Sequence, residues 1–273
     1  MADLKAARPL AVVTGASSGI GYHLARCAAH HGYDLVVAAD MPLADAALDF
    51  ESLGAHVQAV QCDLATTEGV QHLISAIGNR PVDALMANAG HGLGGSFLAQ
   101  DFADILHVIN TNVTGTLHLI QHVARGMVAR ARGRILITGS IAGFQPGSFH
   151  AVYNGSKAFI DSFAMALREE LRGTEVTVSC LMPGPTDTEF FQRARMETTK
   201  VANDPKMMMQ PDAVARAGFH AMLKGEADVV AGVRNKLQVA MSKVMPAQAT
   251  AHMHRKLAEP GKVEPTLQNQ DRS

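Results

Sequence analysis

Ser140, Tyr153 and Lys157 are the residues whose types and spacing could do chemistry in this chain. A tyrosine hydroxyl titrates near ~10, too high to act as a base at neutral pH. A lysine four residues on, one helical turn away, stabilises the phenolate and lowers that value. Tyr153 can then exchange a proton with a substrate oxygen. Ser140 would hold that oxygen and stabilise the charge developing on it. Far upstream, Thr14 to Gly21 reads TGASSGIG, with Gly15, Gly19 and Gly21 spaced GxxxGxG. Glycines there allow a tight turn and the close approach of a pyrophosphate, and the N-terminus of a following helix attracts its charge. A dinucleotide cradle and a proton-transfer group in this order point to hydride transfer. The partners would be a nicotinamide and a carbinol or carbonyl carbon.

The candidate cradle comprises Gly15, Ser17, Ser18, Gly19, Ile20 and Gly21, the two serines as hydrogen-bond donors. Asp40 closes the second apolar run. A carboxylate there accepts from both adenosine ribose hydroxyls and repels a 2′-phosphate. Neither Ser17, Ser18 nor Met41 is basic, so NAD(H) is favoured over NADP(H). Asp63 ends the third run and could accept from the adenine amino group, with Leu64 packing on the ring. Lys157 could also bind the nicotinamide ribose. Asn112, read as lying mid-helix, suits a water-filled proton relay to Lys157; the alternative is a hydrogen bond between helices.

The elements that must position these residues alternate short apolar runs with longer amphipathic stretches, the pattern of a parallel sheet with crossover helices. Strands are expected at 10–13, 35–39, 57–61, 82–86, 134–138, 176–182 and 227–231, with a helix at 20–31. The special residues fall at the C-terminal ends of these strands, where open α/β sheets bind ligands. Two long helices are expected, at 102–129 and 151–171. Phe159, Phe163, Leu167 and Leu171 share one face of the second, read as core against the sheet. The remaining faces carry Ala, His and Met more than charge, which leaves room for a subunit interface. Residues 189–210 read as a mobile substrate lid, and 260–273 as a polar tail. Residues 1–273 thus read as a single dinucleotide-binding catalytic domain. Substrate walls are sought at 92–97, 141–150 and after Thr188. Phe144, Phe149, Phe190 and Phe191 would make the pocket partly apolar, and His150, Arg193 and Arg195 could meet a carboxylate or polar tail.

The chain has 273 residues, 47% of them hydrophobic, and a net charge of −1, so nothing in the balance argues for nucleic acid or an anionic membrane as partner. No apolar run is long enough for a membrane span or signal-peptide core. Three scattered cysteines form no disulfide framework, the usage of a reduced, cytoplasmic protein. The thirteen histidines are dispersed; His30-His31 and His252-x-His254 are the closest pairs, and no metal site is expected.

On TGASSGIG at 14–21, ANAG at 87–90, NVTG at 112–115, Ser140, YNGSK at 153–157 and PGPTDT at 183–188, the sequence resembles the short-chain dehydrogenase/reductase family. The resemblance runs from about Pro9 to Pro260. It implies a Rossmann-like, doubly wound α/β sheet of about seven strands with helices on both faces, and Ser140, Tyr153 and Lys157 as a triad with Asn112 as fourth member. It implies cofactor contacts from Asn88, Ala89, Gly90, Tyr153, Lys157, Pro183, Gly184, Thr186 and Thr188, and a homodimer or homotetramer packed through the long helices. Ala87 stands where Asn is more usual. The region from Asp228 to Lys236 is similar to a subgroup whose members often carry Arg after the second strand and use NADP(H); Asp40 departs from that pattern. The expected function is an NAD(P)-dependent oxidoreductase acting on a secondary alcohol or ketone. Sugar-nucleotide epimerase or dehydratase chemistry, and a catalytically idle dinucleotide-binding regulator, are the alternatives.

Overall fold

The computed structural model describes residues 8–242 and 245–259. Seven strands form one all-parallel sheet: β1 (Leu10–Thr14), β2 (Asp34–Ala39), β3 (Val57–Gln61), β4 (Val82–Ala87), β5 (Gly133–Thr138), β6 (Val176–Met182) and β7 (Asp228–Val230). Their order across the sheet is β3-β2-β1-β4-β5-β6-β7. The chain winds one way from β1 through β3, then crosses back to β4 and winds the other. That reversal opens a crevice beyond the carboxyl ends of β1 and β4. The sheet bears out the fold class expected from the sequence, with strand bounds moved by a residue or so.

β1 and β2 are buried along their whole length because helices cover both faces, which is why they read as unbroken apolar runs. Alternate residues feed two cores. Val12, Val36, Leu85 and Ile135 point to one side, packing with α3 (Thr67–Ile77), α5 (Thr116–Ala129) and α6 (Ala151–Glu170). Val13, Val37, Met86 and Leu136 point to the other, against α1 (Gly19–His30), α2 (Ala44–Ser52) and α9 (Pro211–Lys224). Helix ends follow local chemistry. Thr66 caps α3 by accepting from Gly69 N–H at 2.9 Å, while α9 starts on Pro211 and stops at Gly225 in the left-handed region.

The expected helix over 102–129 runs unbroken but changes register within it. It consists of α4 (Phe102–Ile109), a π-helical turn at Asn110–Gly115, and α5. The wider turn inserts a residue in the spacing, a device common at functional sites. The inner face of α6 is also not the one expected. Asn154, Lys157, Ile160, Asp161 and Ala164 are buried, whereas Phe159 is 46% exposed and stacks on Phe163. Phe163, Leu167 and Leu171 pack only at the margin of the core. The expected lid carries two short helices, α7 (Phe190–Arg193) and α8 (Lys200–Asn203); α10 (Val233–Ser242) and α11 (Ala247–Ala258) follow β7. The polar tail expected at 260–273 lies outside the described residues. No helix among the described residues is long and apolar enough to cross a membrane.

Candidate active site

The ends of β1, β2, β3, β4, β5 and β6 open onto one cleft of ≈ 270 Å³. Gly15, Ser17, Ser18, Gly19, Ile20, Asp40, Asp63, Leu64, Asn88, Ala89, Gly90, Ser140, Tyr153, Lys157, Pro183, Gly184, Thr186 and Thr188 all line it. Asn112 and Gly21, from the same sequence reading, stand directly behind.

At one end, Gly15 and Gly19 adopt positive φ, 66° and 57°, which side chains other than glycine rarely take. A Cβ on Gly21 would overlap the Gly15 carbonyl and crowd the Asn88 amide. Ser18 precedes α1 in an extended conformation and its side chain makes no capping hydrogen bond, so the first amides of α1 have no side-chain cap there. This is a cradle sized by glycines in front of a helix N-terminus, and it fits the pyrophosphate of a dinucleotide. Thr188 closes its far rim, with its methyl group against Gly19.

The Asn88 side chain is engaged with the neighbouring strand ends. Its Nδ2 donates to Thr14 O at 3.1 Å and its Oδ1 accepts from Thr138 Oγ1 at 3.2 Å. The side chain ties the ends of β1, β4 and β5 together, which leaves the backbone to face the cleft. One Asp63 oxygen accepts from Ala65 N–H at 2.8 Å, and the other lies 4.0 Å from His107. Asp40 is bonded by the guanidinium of Arg193 on α7.

At the other end, Ser140 follows β5 and starts a short 3₁₀ turn, where its Oγ accepts from Ala142 N–H at 3.1 Å. It also lies near enough to the Tyr153 hydroxyl to favour its ionised form. Tyr153 and Lys157 project from the first turns of α6. Lys157 Nζ donates to Thr138 O at 2.8 Å and stands 6.0 Å from the Tyr153 ring centre. The sequence predicts a lowered phenol pKa, but in the protein as it stands burial pushes Tyr153 up to about 12, with the Asp161 charge adding to the rise and Ser140 opposing it. Burial holds Lys157 below its usual value, and the Asp161 charge works against that.

Asn112 sits in the π-helical turn. Its Oδ1 accepts from His91 N–H at 2.6 Å; its Nδ2 donates to His91 O and Ser156 Oγ, each at 2.9 Å. It clamps the loop after β4, while Gly90 lies between its Oδ1 and Lys157 Nζ.

The sequence reading missed two features. Asp161, four residues past Lys157, is a buried carboxylate that accepts from Ser140 N–H at 3.2 Å. Its spacing from Lys157 on one helix face was the available signal. The second is α11, which brings His254, Leu257 and Ala258 to the cleft wall. Pro246 ahead of a helical stretch was its signal.

The substrate walls need correction. Only Phe190 and Phe191 of the four phenylalanines line the cleft; Phe144 packs against the core and Phe149 lies under Arg255. Arg193 bonds Asp40, and Arg195 bonds Asp104 at 2.8 Å, so both expected carboxylate partners are paired. His150 is buried against His254, and burial lowers it to about 4, leaving it uncharged at neutral pH. Among the described residues no three His, Cys, Asp or Glu side chains group to hold a metal ion.

The short chain dehydrogenase family model matches residues 9–199. An uncharacterised oxidoreductase of Myxococcus xanthus is 34% identical over 86% of this chain and 92% of its own length. A short-chain dehydrogenase from Sphingobium yanoikuyae, solved in complex with NADPH, is 28% identical and superposes with a TM-score of 0.76 over 89% of this chain and 99% of its own. One from Burkholderia phymatum, solved in complex with NAD, is 25% identical, with a TM-score of 0.77 over 94% of this chain and 98% of its own. Glycine cradle, buried Tyr153–Lys157 pair and sheet order agree with these matches: the chain belongs to the short-chain dehydrogenase family and is an oxidoreductase of it.

Proposed function

We propose that this chain moves a hydride between a nicotinamide dinucleotide, NAD(H) in preference to NADP(H), and the carbon of a secondary alcohol or ketone, with Tyr153 carrying the proton. The observation behind this is the pairing of Ser140 and Tyr153, with Lys157 behind them, on the wall of a cleft whose other end is the glycine cradle. With its pyrophosphate held in that cradle, the dinucleotide would supply the hydride acceptor or donor from its nicotinamide and, when oxidised, a positive charge.

Everything else falls to the protein. Tyr153, held up to about 12, is fully protonated at neutral pH and suited to donate to a ketone oxygen. Ser140 steadies that oxygen and then the tyrosinate left behind. Lys157, buried and fixed on Thr138 O, offers its charge to the same tyrosinate. Asn112 holds the His91 loop and Ser156 in register around Lys157. Alcohol oxidation runs the same path in reverse and needs the phenolate first. Asp40, at the end of β2, supports the preference for NAD(H). With both lid arginines paired and His150 uncharged, the pocket suits a neutral substrate.

Residues 1–273 are taken as one catalytic domain. The exposed side chains of Phe102, Leu106 and Phe159 on α4 and α6 support a homodimer or homotetramer joined through these helices. The test is Tyr153→Phe. It should bind cofactor as the wild type does and lose about 10²-fold or more in turnover. Undiminished turnover would overturn the assignment.

A further inference from the structure

Asp40 is the residue that should exclude a 2′-phosphate, yet its carboxylate is not bare. Arg193 reaches it from α7, 153 positions later in the chain. The backbone that carries Arg193 is fixed. Ala194 is fully buried, and its carbonyl accepts from Gly94 N–H at 2.8 Å. Phe190 packs on Tyr153, with ring centres 5.2 Å apart. A Cβ at Gly92 would come within 2.5 Å of Phe190, and one at Gly94 within 2.6 Å of Met196, so the loop after β4 is shaped to receive this segment. Arg195 fastens the other side to Asp104. The Arg193 side chain itself is one-third exposed.

Charge makes the contact matter. Among the described residues lining the cleft, Lys157 and Arg193 are the only Lys or Arg. Lys157 stands at the Tyr153 end. At the Asp40 end the side chains are Ser17, Ser18, Cys62, Asp63, Leu64, His91, His107 and Arg193. Burial, with Arg193 and His107 nearby, lowers the His91 pKa, so His91 adds no cation at neutral pH. Arg193 is therefore the one permanent positive charge beside Asp40.

We propose that Arg193 is a cofactor-specificity residue: it neutralises Asp40 and offers a 2′-phosphate a guanidinium partner. It thereby limits the discrimination that Asp40 alone would impose. A guanidinium presents several donors in a fork that matches phosphate, so one residue can serve either anion. With NAD(H), the second oxygen of Asp40 takes the ribose hydroxyls while the guanidinium stays on the first. With NADP(H), the guanidinium stays between carboxylate and phosphate. This rests on the reading of the cleft as a nicotinamide dinucleotide site.

The test is equilibrium titration with NADH and NADPH of wild type, Arg193→Gln, Arg193→Lys and Asp40→Asn, with thermal melts to confirm folding. Arg193→Gln should keep NADH affinity and bind NADPH at least about tenfold more weakly, because the carboxylate then faces the phosphate alone. Arg193→Lys should restore part of that loss. Asp40→Asn should move the ratio towards NADPH. Added salt should weaken NADPH more than NADH in wild type and should lose that difference in Arg193→Gln. An unchanged NADPH-to-NADH ratio in a folded Arg193→Gln protein overturns the role of Arg193 while leaving the site assignment standing. Failure of wild type to bind either nucleotide overturns the site assignment and this inference with it.

Discussion

Replacing Asp161 with asparagine should remove a pH dependence that this carboxylate imposes on the fold. Asp161 lies on the inner face of α6, accepting from Ser140 N–H at 3.2 Å and from Cys180 Sγ at 3.7 Å. A Cβ at Gly139 or Gly143 would overlap its two oxygens, so the turn after β5 is wrapped around it. Burial raises its carboxyl from 3.8 to about 6, with Lys157 and the hydrogen bonds opposing the rise. The folded protein therefore holds this proton to higher pH than the unfolded chain does. Between those values the native state binds the extra proton, and stability falls as pH rises. A rise of this size corresponds to about 3 kcal/mol, absent below the unfolded value and complete above the folded one. Asparagine keeps the shape and an acceptor for Ser140 N–H but does not ionise. Buried His150 and half-buried His91 and His254, all lowered by desolvation, impose the opposite slope. That slope is common to both proteins and cancels in their difference. Urea unfolding at about pH 4 and about pH 8 should show the difference moving by about 2.5 kcal/mol in the variant's favour at the higher pH. The same difference at both pH values would refute the reasoning.

The same variant carries a catalytic consequence: Asp161 raises both Tyr153 and Lys157, so Asp161→Asn should move the Tyr153 limb of the alcohol-oxidation pH profile to lower pH. A limb that stays or rises in a kcat/KM profile would count against the proximity argument. Gly21→Ala places a methyl group against the Gly15 carbonyl and should abolish NADH binding in a fluorescence titration while the far-UV spectrum stays native. Binding within a few-fold of wild type would mean that the cradle is not where the dinucleotide sits. Because Arg193 and Arg195 are paired and His150 is neutral, a ketone should be reduced at least about tenfold more efficiently than a keto acid of similar size. Equal kcat/KM values would show that one of those pairs opens for substrate.

What the sequence made legible and what it hid divide along the range of the forces involved. A glycine turn, a Tyr–Lys pair at i+4 and strands buried on both faces are local patterns, and each stands where the sequence puts it. The face of α6 was not local in this sense. Phe159 and Ile160 begin adjacent stripes about 100° apart on a helix, and only the sheet beneath decides which stripe turns inward. Side-chain size favoured Phe159; the space left by β5 and β6 took Ile160 and Ala164. The π-helical turn at Asn110–Gly115 is hidden for a related reason, since one inserted residue leaves the apolar spacing on either side intact. Charges were the least legible. Asp40 read as facing the cofactor ribose, and Arg193 and Arg195 as facing a carboxylate or polar tail, whereas their pairings join segments 153 and 91 residues apart. On the proposed reading such pairings would set the selectivity of the cleft, because a carboxylate's effect on a phosphate depends on what already neutralises it. Local pattern therefore carries the family and its oxidoreductase class in this chain, and a preference for one cofactor or substrate over another would rest on contacts that only the folded chain brings together.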